Sequence, residues 1–218
     1  MLRVAAEDLY YHGVRLVVAN IIWGLGAAVT AYAVTRSLVG ILALVGMIPL
    51  TVGLMGMATA VVRERSVVMS DFLRPIRAKF WRLLALGIAQ LGLIGVIVFD
   101  LILGLQLGGI VGLVLAVVAF YTGLAVWLLA LTIWPIVIDP ERQGEPVRSC
   151  VRLGALLVLA HPIRLGLVAI VLGIVALVAT ILAAAIVTFG AAYMALVAAH
   201  FALPAADRLE GRPTLLED

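Results

Sequence analysis

The sequence predicts an all-α fold, a polytopic bundle of six transmembrane helices with short amphipathic helices at its cytoplasmic side. Three observations carry this: the composition, the length of the apolar segments, and the placement of the basic residues. Of 218 residues, 65% are apolar and 12% charged, and the mean hydropathy is +1.25. Soluble domains average about 45–50% apolar and about 25% charged residues. A water-soluble fold of this length cannot hide so much apolar surface behind so few charges, so lipid is the expected solvent.

A spanning helix needs about 20 mainly apolar residues. The first such segment runs from Val14 to Val34, and the second from Leu38 to Val62 with Pro49 inside it. The third runs from Leu83 to about Leu105, and the fourth from Ile110 to Ile138. The fourth is longer than a bilayer requires, which predicts tilt or an interfacial end. From Leu165 to Leu203 no charged residue occurs. One helix of that length would reach ~58 Å, about twice the hydrocarbon thickness. Two spans are therefore expected, Leu165–Ile186 and Gly190–Leu203, folded back through Val187, Thr188, Phe189 and Gly190. The whole chain, 1–218, then forms a single membrane domain.

Orientation follows from the basic residues, 14 arginines and one lysine. Arg3 and Arg15 precede the first span. Arg63, Arg65, Arg74, Arg77, Lys79 and Arg82 separate the second from the third. Arg142, Arg148, Arg152 and Arg164 separate the fourth from the fifth, and Arg208 and Arg212 follow the sixth. Six spans place all of these on one side and leave Arg36 alone on the other. The positive-inside rule makes the crowded side cytoplasmic, with both termini there, and a multi-pass inner (plasma) membrane location. Ala31-Tyr32-Ala33 has the small-residue pattern of a signal-peptidase site, but Glu7 and Asp8 stand where a leader should be basic and the apolar run is long.

Between spans two and three, Val68, Phe72, Ile76 and Phe80 recur every four residues, with Arg74 and Arg77 on the opposite side. This reads as a short interfacial helix, capped by Ser70 and broken at Pro75, that leads into span three. Pro146 to Ala160 reads as a second such helix, with Arg148 and Arg152 one turn apart. Arg74, Arg77, Lys79, Arg148 and Arg152 are thus the candidate cytoplasmic interface, toward the lipid headgroups or a docked partner.

No catalytic, cofactor-binding or metal-binding signature occurs. His12, His161 and His200 lack metal-ligand spacing, and there is no phosphate loop or nucleophile elbow. Cys150 has no partner cysteine and reads as buried and inert. The basic residues track the membrane boundary rather than a soluble face, which argues against nucleic acid as a partner. Polar groups inside the spans are the remaining candidates. Asp100 lies ~7 Å inside the outer end of span three, where a carboxylate seeks a partner, a proton or water. Arg36, the basic residue of that side, is its expected ion-pair partner. Asn20 and Gln90 are expected to hydrogen-bond between helices. Pro49 frees a backbone carbonyl that Thr51 can help satisfy, and Gly53 and Gly56 allow close packing there. Gly104 and Gly108 have small-xxx-small spacing near the outer turn, a pattern also found in self-association.

These features resemble the YesL-like family of bacterial integral membrane proteins, built on a domain of unknown function (number 624). The resemblance rests on Asn20-Ile21-Ile22-Trp23, Pro49-Leu50-Thr51, the small-residue run Gly53 to Ala60 ending at Arg63, Asp71-Phe72, Lys79-Phe80, Trp134-Pro135 and the basic stretch Pro146 to Arg164. It implies an accessory role near carbohydrate uptake systems and supplies no catalytic residues. Three functions are weighed: an accessory or assembly subunit of a membrane transporter; a small secondary transporter or channel using Asp100, Gln90, Asn20 and the Pro49 kink; and a membrane enzyme acting on lipid, for which no constellation of residues is found.

Overall fold

A computed structural model describes residues 2–64, 67–142, 144–181 and 189–212. Every regular element among them is helical: α1 (Leu2–Tyr11), α2 (Gly13–Arg36), α3 (Ala43–Glu64), α4 (Ser70–Leu107), α5 (Gly109–Ile138), α6 (Val147–Ala160), α7 (Pro162–Ile181) and α8 (Ala191–Glu210), with short 3₁₀ turns at Leu38–Leu42 and Pro140–Arg142. Four helical stretches, Gly13–Arg36, Gly40–Arg63, Ser70–Leu107 and Gly109–Ile138, are long and apolar enough to cross a membrane. A fifth is reached if α6 and α7 count as one broken span, bent by 98° between Ala160 and Pro162. The expected turn between spans five and six falls largely outside the described residues. The expected sixth span, 190–203, covers the N-cap Gly190 and the first turns of α8, which continues through Pro204 to Glu210 and is not among the stretches long and apolar enough to cross a membrane.

Helices α3 and α8 form the centre. Buried residues of both belong to each of two adjoining apolar clusters, one shared with α1, α2, α7 and Phe72 of α4, the other with α4, α5 and α6. In α8, Ala192, Ala195, Ala199, Ala202 and Ala206 are buried, and small side chains let neighbouring helices approach closely. Glycines do the same in α3. A Cβ on Gly53 would stand 2.6 Å from the Phe72 ring, and one on Gly56 would stand 2.6 Å from Pro75 Cγ.

That packing corrects the reading of the segment before span three. Phe72 is buried against α3 instead of facing the leaflet, because the α3 glycines open a slot for it. Ser70 does not cap the helix; Asp71 Oδ2 instead accepts from the Val68 N–H at 2.8 Å. Pro75 stays within α4, and the break comes at Lys79 (φ −137°, ψ 27°). In α6, Cys150, Leu153 and Leu157 are likewise buried against protein, while Arg148 and Arg152 point outward.

The α4–α5 hairpin turns through Gly108 and Gly109, both at φ 61°, a left-handed conformation that glycine adopts without strain. Its outer half stands apart from the centre. Over residues 109–121 the buried positions Gly112, Ala116 and Ala119 form one stripe, and Val96, Phe99, Leu105, Ile110, Val111 and Phe120 are all exposed. A Cβ on Gly104 would meet backbone, Ala116 N at 2.7 Å and Gly112 O at 2.8 Å. Gly104→Val should therefore force the hairpin apart and destabilise by about 1–3 kcal/mol. Gly95→Ala, where nothing lies within 4 Å, should stabilise by up to ~1 kcal/mol through helix propensity. Thermal unfolding of both variants in detergent checks the contrast.

Candidate functional site, a buried charge lock at the basic end

Helices α3, α5 and α8 converge where each ends. Arg63 lies in the last turn of α3, where a cation is favoured by the helix dipole. Asp139 follows the last residue of α5, and its Oδ1 accepts from the Glu141 N–H at 3.1 Å while its carbonyl accepts from the Arg142 N–H at 3.0 Å. The tight turn so formed carries Arg142 back under the bundle. On α8, Asp207 and Glu210 are three residues apart and share a face. Gly211, at φ 67°, then closes the helix, with Arg212 N–H donating to Asp207 O at 2.9 Å.

Arg63 donates to two carboxylates at once. Its Nε and Nη2 reach Asp139 at 3.1 and 2.6 Å, and its Nη1 and Nη2 reach Asp207 at 2.6 and 3.1 Å. The side chains of Arg63, Asp139 and Asp207 are 4%, 0% and 2% exposed. Arg142, whose side chain is wholly buried, donates from Nη1 to Glu210 at 2.6 Å and from Nη2 to Asp207 at 2.9 Å. Its Nε faces Asp139 Oδ2 at 3.3 Å without a hydrogen bond. Around this core, Glu141 lies 3.3 Å from Arg63, and Arg212 bridges Glu145 and Glu210. Three arginines thus face five carboxylates contributed by α8 and by the turn after α5.

Burial opposes the charge on Asp207, but hydrogen bonds from Arg63 and Arg142 outweigh it and hold its carboxyl below the ordinary aspartate range. Burial also opposes the charge on Arg142, and bonds to Glu210 and Asp207 outweigh it, raising its pKa. Each charge is therefore kept by its neighbours. Both guanidiniums are already engaged by carboxylates, so the arrangement acts as a clamp rather than as an acid–base pair.

Lys79, expected at the exposed interface, belongs to this site instead. It is 9% exposed, and its Nζ donates to the carbonyls of Val137 at 3.3 Å and Arg142 at 3.0 Å. Helix C-termini leave carbonyls unpaired, and a buried ammonium satisfies them, which accounts for the break in α4 at this residue. Arg74, Arg77, Arg148 and Arg152 are exposed.

The other candidate residues are scattered. Asn20 is buried, and its Oδ1 accepts from Ala192 N–H at 2.6 Å in the first turn of α8. Gln90 Oε1 accepts from Trp134 Nε1 at 2.6 Å, joining α4 to α5. Thr51 Oγ1 accepts from Trp23 Nε1 at 3.0 Å, so it ties α3 to α2. Pro49 faces α4 in a small apolar gap with Ile76, Phe80 and Leu83. The Arg36–Asp100 pair is not made: α3 is the helix on which both α2 and α4 pack, and Arg36 instead lies over the Tyr32 ring at 5.1 Å. Asp100 has no hydrogen bond or ion pair among the described residues. No group of three or more His, Cys, Asp or Glu is placed to hold a metal ion among the described residues. Comparison with family models, with curated proteins and with solved structures finds no match to this chain.

Removing one member of a buried ion pair typically costs 3–5 kcal/mol, because the remaining charge is stranded. Asp207→Ala takes one carboxylate from two buried arginines and should lower the detergent Tm accordingly, whereas Glu7→Ala, in an exposed pair with Arg3, should change stability by less than about 1 kcal/mol. The lowered Asp207 pKa also fixes a pH dependence. Its contribution is complete above the ordinary aspartate pKa of 3.8 and fades as pH falls toward the lower folded-state value. Wild-type Tm should fall through this acid range more steeply than that of Asp207→Ala, as measured by circular dichroism against pH.

Proposed function

We propose that this chain is a six-span protein of the bacterial inner membrane, with both termini in the cytoplasm, that serves as an accessory or assembly component beside a membrane transporter. The observation that carries this reading is the outer α4–α5 hairpin, apolar and exposed on nearly every face, with Asp100 half-buried in it and unpaired. A carboxylate is expensive at membrane depth and ordinarily finds a counter-charge or water. A neighbouring membrane subunit presenting a cation or a hydrogen-bond donor would supply it. The YesL-like resemblance suggests carbohydrate uptake as the setting.

The transporter or channel reading has less support. Asn20, Gln90 and Thr51 each bond to a neighbouring helix, which leaves Asp100 as the free polar side chain of that set. An enzyme acting on lipid would need an acid, a base or a metal set at one interface, and the charge lock is engaged with itself.

Photo-cross-linkers placed at Val96, Phe99 and Val118 in cells test the accessory reading. One defined integral membrane protein should be captured from all three positions, and Asp100→Leu should reduce the yield several-fold. Adducts confined to lipid would overturn the reading. Adducts at twice the mass of the chain would replace the foreign partner with a second copy.

A further inference from the structure

The arginines of the basic end differ in what they hold. Arg63, Arg142 and Arg212 are engaged by carboxylates, whereas the side chains of Arg164 and Arg208 make no hydrogen bond or ion pair among the described residues. These two meet at one place. A groove of about 710 Å³ runs between α7 and α8 beside α1, and it is lined by His161, Arg164, His200 and Arg208 with Leu167 and Phe201 among its apolar walls. On α8 the lining residues recur four apart, His200, Pro204 and Arg208, accompanied by Phe201, Ala205 and Leu209, so a full helical face is turned to the groove. On α7 they step from Arg164 to Leu167 and Val168, the first turn and the next.

We propose that this groove binds one anionic phospholipid of the leaflet at the basic end of the bundle, its phosphodiester held between Arg164 and Arg208 and its acyl chains lying on Leu167 and Phe201. Charge complementarity selects the occupant. Guanidinium forks match phosphate oxygens bidentately, and these two are the unneutralised cations of the groove. Asp8 on α1, which reaches His200 of the groove wall, is engaged there, with His200 Nε2 at 2.7 Å. Position selects it as well. The chain bends by 98° between α6 and α7, and Arg164 sits in the first turn of apolar α7; on the topology proposed above this is the depth of a headgroup, with Leu167 one turn further toward hydrocarbon. The volume lies within the range of sites that enclose a ligand of several hundred daltons. A small soluble anion would satisfy the arginines and leave the apolar wall uncovered; a phospholipid covers both.

Native mass spectrometry of the full chain in detergent tests this, with dioleoyl phosphatidylglycerol and dioleoyl phosphatidylcholine offered in equal amounts. Wild type should retain the glycerol lipid in preference to the choline lipid. The Arg164→Gln/Arg208→Gln double variant should hold it about thirtyfold more weakly, as expected for two surface arginines near an anionic lipid. Arg148→Gln/Arg152→Gln, which removes two exposed cations of α6 outside the groove, should retain it. Ala205→Trp fills the groove without altering charge and should also release it. Equal retention of the two lipids, equal loss in the α6 variant, undiminished binding in Ala205→Trp, or displacement of the lipid by millimolar inorganic phosphate would each overturn the proposal.

Discussion

One guanidinium held between two aspartates sets the geometry of the basic end. Arg63 cannot leave its two carboxylates without giving up four charge-assisted hydrogen bonds in a buried site, so the ends of α3 and α8 and the turn after α5 are fixed together. Because α3 and α8 also supply the two apolar clusters, the lock registers the helices that everything else packs on. Apolar packing alone would let alanine-rich α8 slide along its neighbours, since a stripe of similar small side chains offers many near-equivalent contacts. Hydrogen-bonded charge pairs have direction and a fixed reach, and they admit one register. Asn20 does the same at the opposite end of α8 by pairing the Ala192 N–H.

Electrostatics divide the basic residues by task. Those bonded to Asp139 or Asp207, Arg63 and Arg142, are buried and structural, and Arg212 braces Glu145 and Glu210 from the more exposed rim. Lys79 is held by backbone carbonyls and bends α4 toward them. Arg77, Arg148, Arg152, Arg164 and Arg208 are exposed and, in the proposed topology, face the lipid headgroup region. Net charge at this end is therefore a poor guide to what a partner or a leaflet meets; the unpaired cations are the better guide.

Much of the architecture was legible in the sequence, because hydropathy over about 20 residues reports directly on helices that meet lipid. The expected segments 14–34, 38–62 and 110–138 correspond closely to Gly13–Arg36, Gly40–Arg63 and Gly109–Ile138. Segment 83–105 lies inside the longer α4, whose first turns are amphipathic and pack on protein. Asn20 and Gln90 were expected to bond between helices and do so. The charge lock was not legible for an identifiable reason. Orientation rests on counting Lys and Arg, and acidic residues carry little weight in that rule, so Asp139, Glu141, Glu145, Asp207 and Glu210 add nothing to it beside the arginines. The i, i+3 spacings of Asp139 with Arg142 and of Asp207 with Glu210 were the available signal. What the sequence alone could not supply was the convergence of three helix ends separated by as many as 144 positions. The Arg36–Asp100 pairing failed for the complementary reason: proximity to one membrane face does not make two helices neighbours.

The central claim is that Arg63 and Asp207 are energetically coupled, and a double-mutant cycle with Arg63→Met and Asp207→Leu measures that coupling most directly. If the lock registers the bundle, each single variant strands a buried charge and unfolds well below wild type. The double variant, an apolar pair in place of an ion pair, recovers at least about 2 kcal/mol relative to the sum of the singles. Additive losses, with no recovery in the double variant, would show that the two residues do not depend on each other and would contradict the account.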